Sequence, residues 1–161
     1  MSDYHLNVGD AAPEIMLPTS PEGELALSAY KGAWVIVYFY PKDNTPGCTT
    51  ESCEFRDALP DFTSAHANIV GVSRDSVKSH SNFIHKHDLN FPLISDTEEA
   101  LCKAFDVLHL KKNYGKAYMG IERSTFIINP EGHIAYIWRK VRVKDHVSNV
   151  LETLKKLQEA A

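Results

Sequence analysis

The segment from Trp34 to Tyr40 constrains the fold of this chain more than any other. Each of its residues is β-branched or aromatic, and Pro41 follows directly. A continuous apolar run of this kind, without alternating polar residues, predicts a strand that is buried on both faces of its sheet. Such strands occur where helices cover both sides of a sheet, so the segment favours an α/β fold.

Further strands and helices are predicted to alternate along the rest of the chain. Apolar residues at helical spacing, such as Phe55, Leu59 and Phe62, indicate a helix that Pro60 is expected to kink or end. The predicted helices comprise residues 47–62, 76–87, 98–105 and 145–159, and the predicted strands comprise residues 14–17, 24–27, 34–40, 68–73, 92–95, 124–128 and 133–139. The intervening residues 107–120 are predicted to form a long loop. This order predicts one α/β domain, residues 1–161, with a central mixed β-sheet flanked by helices.

The charge balance excludes some classes of partner. The chain has 161 residues, with 17 Lys and Arg against 21 Asp and Glu, for a formal net charge of −4. Because a nucleic-acid partner usually requires a basic face, none is predicted. No apolar run approaches the roughly 20 residues that span a bilayer, and residues 1–5 do not resemble a secretory signal. The predicted location is therefore cytoplasmic, with no membrane partner.

Cys48 is distinguished by the residues around it. It lies where the loop after the buried strand turns into a helix, and the partial positive charge there stabilises a thiolate, the nucleophilic form. Gly47 lets a substrate approach the backbone closely, and Thr45 supplies a hydroxyl that can donate and accept. Pro41 and Pro46 stiffen the loop. A free cysteine is usually a small buried hydrophobe, but this setting favours a preformed pocket around an activated sulfur.

The same segment resembles a known family. The spacing Pro41-x-x-x-Thr45-x-x-Cys48 matches the peroxiredoxin active-site pattern, and residues 38–54 resemble the peroxiredoxin Q branch, also called bacterioferritin comigratory protein. Three further blocks follow in the family's order, residues 71–76, 91–96 and 122–126. The resemblance therefore covers nearly the whole chain. It implies a thioredoxin-like fold with an N-terminal β-hairpin, and activity as an antioxidant, thiol-dependent peroxidase.

The resemblance also implies roles for individual residues. Cys48 would be the peroxidatic cysteine, Thr45 would hydrogen-bond its sulfur and the peroxide, and Pro41 would shield the sulfur from bulk water. Arg123 would complete the pocket, because its permanently charged guanidinium can stabilise a thiolate and the departing oxygen. Glu51, one helical turn after Cys48, would orient Arg123, although a carboxylate there is also favourable for the helix dipole alone.

The other two cysteines have different expected roles. Cys53 lies five residues after Cys48, a wider spacing than Cys-x-x-Cys. This resembles those peroxiredoxin Q proteins whose resolving cysteine lies in the same helix. Others place it on the following helix, where residues 82–85 contain no cysteine here. The resemblance thus implies an intramolecular disulfide between Cys53 and oxidised Cys48, which a thioredoxin-type dithiol donor reduces. Cys102, among apolar helix residues, is predicted to be a buried structural thiol.

No cofactor is implied. The chain has eight histidines, and three of them, His80, His85 and His87, lie near one another in one predicted helix. This grouping raises the question of a metal site. Zinc requires three or four convergent ligands, and no Cys, Asp or Glu joins these histidines at a suitable spacing. The histidines are therefore predicted to be scattered over the surface, and no metal, haem or flavin is expected. The resemblance favours a monomer.

Alternatives remain open at this level. A dithiol–disulfide oxidoreductase without peroxidase activity would need Cys-x-x-Cys, which is absent. A non-enzymatic redox sensor or a holdase chaperone would use the same disulfide to change its partners or expose apolar surface. Steady-state consumption of a hydroperoxide separates these classes, because a sensor reacts once and stops.

Overall fold

The computed structural model describes residues 4–161 of the chain. The strands are β1 (Leu17–Ser20), β2 (Glu24–Leu25), β3 (Trp34–Phe39), β4 (Ala67–Ser73), β5 (Leu93–Ser95), β6 (Leu108–Asn113), β7 (Lys116–Ile121), β8 (Ser124–Ile128) and β9 (Ile134–Trp138). The helices are α1 (Pro46–Ser64), α2 (Val77–His87), α3 (Ala100–Ala104) and α4 (His146–Ala160), and a short 3-10 helix spans Leu27–Tyr30. Within these described residues, no helix has the length and apolar composition needed to cross a bilayer.

Seven of the strands form one sheet, in the order β2-β1-β5-β4-β3-β8-β9. Inside this sheet β3 is parallel to β4 and antiparallel to β8, while β4 is also parallel to β5. The β8–β9 hairpin adds a further antiparallel pair at one edge. The sheet is therefore mixed, and the predicted α/β class is confirmed.

The apolar run of β3 is explained by cores on both faces of the sheet. Val35, Val37 and Phe39 belong to one cluster of buried residues, whereas Ile36 and Tyr38 belong to the other. All five are at most 1% exposed. Because successive side chains of a strand point to opposite faces, a strand between two cores must be apolar at every position. The cluster around Tyr38 includes residues of α1, α2 and α4, and the cluster around Phe39 includes residues of α3.

The predicted N-terminal hairpin is confirmed with shifted bounds. Its first strand occupies Leu17–Ser20 instead of residues 14–17, and it pairs antiparallel with β2. The second strand is shorter than predicted, because the chain enters the 3-10 helix at Leu27. On its other side β1 pairs with β5, which joins the hairpin to the central sheet.

The prediction of a loop at residues 107–120 is wrong, because β6 and β7 pair there as a separate two-stranded antiparallel sheet. Tyr114 and Gly115, at the tip, have φ angles of 53° and 78°. Two successive positive φ angles are typical of the tight turns that connect hairpin strands. The sequence gives little sign of this hairpin because it stands apart from the central sheet. Leu110 and Met119, for example, are 64% and 52% exposed.

Pro60 was expected to kink or end the first helix, and the second alternative is wrong, because α1 continues to Ser64. Proline lacks a backbone N–H, so it leaves the carbonyl four residues earlier, that of Arg56, without its helical donor. The side-chain amide of Asn90 donates to this carbonyl at 3.2 Å. This substitute hydrogen bond compensates for the proline and links α1 to the segment that follows α2.

Candidate active site

Cys48 is the third residue of α1 and is only 1% exposed. The helix begins after the loop that follows β3, with Thr45 as an extended N-cap and Pro46 as its first residue, a position that favours proline. The N–H of Thr49 bonds the Thr45 carbonyl at 2.8 Å and opens the helical hydrogen-bond series. The N–H groups of Gly47 and Cys48 precede that series, and with the helix dipole they favour negative charge at the sulfur.

Arg123 connects the thiol to a carboxylate. It lies between β7 and β8, and the pairing of β8 with β3 brings it beside the start of α1. Its Nη2 atom lies 3.3 Å from Cys48 Sγ, and its Nη1 atom donates to Glu51 Oε1 at 2.7 Å. A Cβ atom on Gly47 would lie 3.2 Å from Nη2, so a glycine at this position leaves room for the guanidinium.

Glu51 is fully buried one helical turn after Cys48. Burial raises the pKa of Glu51 from 4.5 to about 7, despite the opposing attraction of Arg123. For Arg123, burial alone would lower the pKa, but Glu51 and Cys48 together outweigh burial and raise it. Because a guanidinium stays protonated at any physiological pH, the charge of this pair is decided by the titration of Glu51.

His146 and Thr125, which the sequence did not single out, extend the polar network. His146 begins α4 and is 4% exposed, and its Nε2 atom lies 2.8 Å from Thr125 Oγ1 and 4.0 Å from Glu51 Oε2. Glu51 Oε2 has no hydrogen-bond partner among residues 4–161. Burial, assisted by the charge of Arg123, lowers the pKa of His146 from 6.5 to about 4. The ring is therefore neutral near pH 7. No sequence motif around His146 predicts its place in the site.

The hydroxyl of Thr45 forms a hydrogen bond within the loop that precedes α1, and not with the Cys48 sulfur. It donates its single proton to the Lys42 carbonyl at 2.8 Å, which leaves its lone pairs as acceptors. Pro41 is half-buried directly after Tyr40. The roles of Thr45 and Pro41 toward sulfur or peroxide therefore stay predictions.

Comparisons with known proteins identify the family. A profile of the AhpC/TSA family matches residues 8–137. Peroxiredoxin Bcp of Bacillus subtilis is 52% identical over 154 residues, which cover 96% of this chain and 98% of that protein. Peroxiredoxin Bcp of Xanthomonas campestris is 52% identical over 155 residues, which cover 96% and 97%. The chain belongs to the AhpC/TSA family.

Solved structures of the family show the same fold. Xanthomonas campestris peroxiredoxin Q has a TM-score of 0.88 at 51% identity, covering 96% of this chain and 98% of that one. A structure of the bacterioferritin comigratory protein from the same organism, with the same score and identity, concerns its alkyl peroxide reduction activity. The predicted peroxiredoxin Q branch and thioredoxin-like fold are thus confirmed, and the chain is a thiol-dependent peroxidase.

In this peroxiredoxin the thiols of Cys48 and Cys53 are free and lie in one continuous helix. Helix geometry places the Cα atoms of residues five apart at about 8.5 Å. A disulfide usually needs Cα atoms within about 7 Å, so a bond between these cysteines requires α1 to unwind. Cys102 is fully buried in the core, as predicted. Burial, reinforced by a hydrogen bond with Asp96, raises its pKa well above the ordinary range and keeps the thiol protonated.

The prediction that the histidines are scattered over the surface is wrong for His146 and also for His80, which is fully buried. His80 Nδ1 lies 2.7 Å from Asp43 Oδ2, and its Nε2 atom lies 2.9 Å from the Ile94 carbonyl oxygen. Both ring nitrogens of His80 thus have a hydrogen-bonding partner inside the core. Asp43 also accepts a hydrogen bond from Ser79, and it belongs to the loop that precedes α1. These buried hydrogen bonds therefore anchor the active-site loop to α2.

Proposed function

We propose that this peroxiredoxin reduces hydroperoxides with Cys48 as the attacking thiolate. The observation that carries the proposal is the position of Arg123, whose guanidinium lies 3.3 Å from the Cys48 sulfur and is held by Glu51. The N–H groups at the start of α1 add to the positive potential at the same sulfur. This arrangement stabilises a thiolate before the reaction and an oxygen anion as it departs.

The first step oxidises the sulfur. The Cys48 thiolate attacks the terminal oxygen of the peroxide, the O–O bond breaks, and the sulfur becomes a sulfenic acid. The departing hydroxide or alkoxide takes up a proton and is released as water or an alcohol. Arg123 donates to the departing oxygen as negative charge develops on it. The lone pairs of Thr45 accept from the O–H of the peroxide, and Pro41 shields the sulfur from bulk water.

The second step restores reactivity through Cys53. Its thiolate attacks the Cys48 sulfenic acid, so that a disulfide forms and water is released. A thioredoxin-type dithiol then reduces the disulfide by exchange. The support for Cys53 is its place on the same helix, its partial exposure, and the contact of its sulfur with Arg56 Nη1 at 3.6 Å.

The proposed substrates are hydrogen peroxide and organic hydroperoxides. We place the alkyl group of an organic hydroperoxide in a shallow groove of about 480 Å³ beside the start of α1. The groove is lined by Pro46, Gly47, Thr50, Glu54, Val143, Lys144 and Asp145. The alkyl peroxide reduction activity of the similar Xanthomonas campestris protein supports the same substrate class. We also propose that the protein acts as a monomer, which its resemblance to the peroxiredoxin Q branch favours. The three free thiols suit the reducing cytoplasm.

A steady-state assay coupled to thioredoxin and thioredoxin reductase tests the proposal. We expect continuous consumption of hydrogen peroxide and of an organic hydroperoxide. Cys48→Ser should abolish it, because a hydroxyl does not ionise near neutral pH, whereas Cys102→Ser should retain it. Normal turnover by Cys48→Ser would refute the assignment. Consumption of one equivalent followed by arrest would favour the redox sensor or holdase chaperone instead.

A further inference from the structure

Arg56 joins Cys53 to a fixed part of the fold. Its Nη1 atom lies 3.6 Å from the Cys53 sulfur and also donates to the carbonyl oxygen of His87, at the end of α2, at 2.6 Å. Its backbone carbonyl accepts from Asn90 at 3.2 Å. This turn of α1 is therefore held by the segment around the end of α2, in addition to its own helical hydrogen bonds.

Phe55, next to Arg56, holds the same turn of α1 in place. Phe55 is fully buried and stacks on Tyr38, with ring centroids 4.7 Å apart. The turns that must open for Cys48 to reach Cys53 lie before Phe55. Because the helix is anchored at Phe55 and Arg56, unwinding that starts at the N-terminus of α1 should stop there. Cys53 then lies at the N-terminus of the helix that remains.

We propose that Arg56 is the positioning residue of the resolving step, holding the Cys53 sulfur as a thiolate while residues 48–52 unwind. The inference rests on the proposed function of Cys53. A guanidinium remains charged, and its hydrogen bond to sulfur favours the ionised thiol over the neutral one. The newly formed helix N-terminus acts in the same direction. Arg56 thereby does for Cys53 what Arg123 does for Cys48.

The step that Arg56 assists is balanced without a further oxidant. The Cys53 thiolate attacks the sulfur of the Cys48 sulfenic acid, and the S–S bond forms as the S–O bond breaks. Hydroxide leaves and takes up a proton to become water. Over both steps, two thiols are oxidised to one disulfide and one peroxide is reduced.

Rapid mixing of the reduced protein with one equivalent of hydrogen peroxide separates the two steps. Loss of peroxide reports attack by Cys48, and mass spectrometry after thiol alkylation reports the Cys48–Cys53 disulfide. In Arg56→Gln we expect an unchanged peroxide rate and about tenfold slower disulfide formation. The pH at which the disulfide rate reaches its plateau should move upward. Arg56→Lys, which keeps the charge, should recover part of the rate.

Asp57→Asn is the matched control. Asp57 is an exposed ion partner of Arg56 at 2.9 Å, and an amide in its place removes the charge but keeps an oxygen that can accept from the guanidinium. Equal disulfide rates and pH profiles in wild type and Arg56→Gln would overturn the inference, and so would equal slowing in Asp57→Asn. A wild type that consumes peroxide but forms no Cys48–Cys53 disulfide would instead refute Cys53 as the resolving thiol, a failure of the proposed function.

Discussion

Arg123 contacts the Cys48 sulfur with one terminal nitrogen and the Glu51 carboxylate with the other. Lysine keeps the charge, but a single ammonium lacks the planar fork that makes both contacts. We therefore expect Arg123→Lys to slow the peroxide step by about 10²-fold, measured by rapid mixing with hydrogen peroxide. Arg142→Lys, at an exposed position, serves as the control. Equal rates in all three proteins would reduce Arg123 to a neighbouring charge without a part in the reaction.

The residues that sequence could predict are those whose setting is local. Cys48 and Gly47 lie where a loop turns into a helix, so the sequence within a few positions is enough to predict their surroundings. Arg123 lies 75 residues from Cys48, and its place in the site was predicted only from the family resemblance. The burial of His80 and His146 was not predicted, because their partners lie far away in the sequence. His80 contacts Asp43 and Ile94, and His146 contacts Thr125.

At the scale of elements, α1 holds the reduced site, and the proposed disulfide between Cys48 and Cys53 requires the same helix to open after oxidation. The polar segment after Cys48 suggests an opening of low cost, but Glu51 and Ser52 are fully buried. The Ser52 hydroxyl shares a hydrogen bond with that of Tyr38 at 2.8 Å. Opening breaks this bond and the pair with Arg123, besides backbone hydrogen bonds worth about 1 kcal/mol each. Return of the Glu51 carboxylate to water offsets part of that cost.

Hydrogen exchange tests the opening of α1 directly. We expect the disulfide form to exchange amide hydrogens faster than the reduced form from about Thr45 to Arg56, with lower helicity there and an unchanged sheet. Exchange beyond Arg56 should be equal in both forms, because that part of the helix stays anchored. Cys53→Ser treated with peroxide is the control and should not show the change. Equal protection of the segment in the reduced and disulfide forms would rule out unwinding.

Helices and strands could be predicted from the sequence where their pattern of apolar residues reflects which of their faces are buried. The run of β3 is apolar because both of its faces are covered, and its bounds follow almost directly from that run. The β6–β7 hairpin lacks such a pattern, since neither strand belongs to the central sheet. The continuation of α1 through Pro60 depends on a side chain 30 residues away, Asn90, which no local propensity reveals.

At the scale of the whole molecule, two buried groups couple folding to pH in opposite directions. Burial raises the pKa of Glu51 from 4.5 to about 7, so between those values the folded protein keeps a proton that the unfolded chain releases. Burial lowers the pKa of His146 from 6.5 to about 4, so there the unfolded chain binds the additional proton. Rising pH therefore lowers stability through Glu51 and raises it through His146. Between about pH 4.5 and 6.5 these contributions largely cancel.

Glu51→Gln should remove one side of this balance. A neutral amide does not titrate, so the variant lacks the loss of stability that Glu51 causes as pH rises. Its free energy of unfolding relative to wild type should therefore increase from about pH 4.5 to 7, by ~3 kcal/mol at most. His146→Asn should show the opposite trend, losing stability relative to wild type as pH rises from about 4 to 6.5. Urea unfolding at several pH values measures both trends, with Glu152→Gln, exposed on α4, as the control. If the three variants ran parallel to wild type across this range, Glu51 and His146 would titrate alike in the folded and unfolded chains. Burial would then have no part in setting the charge of the site.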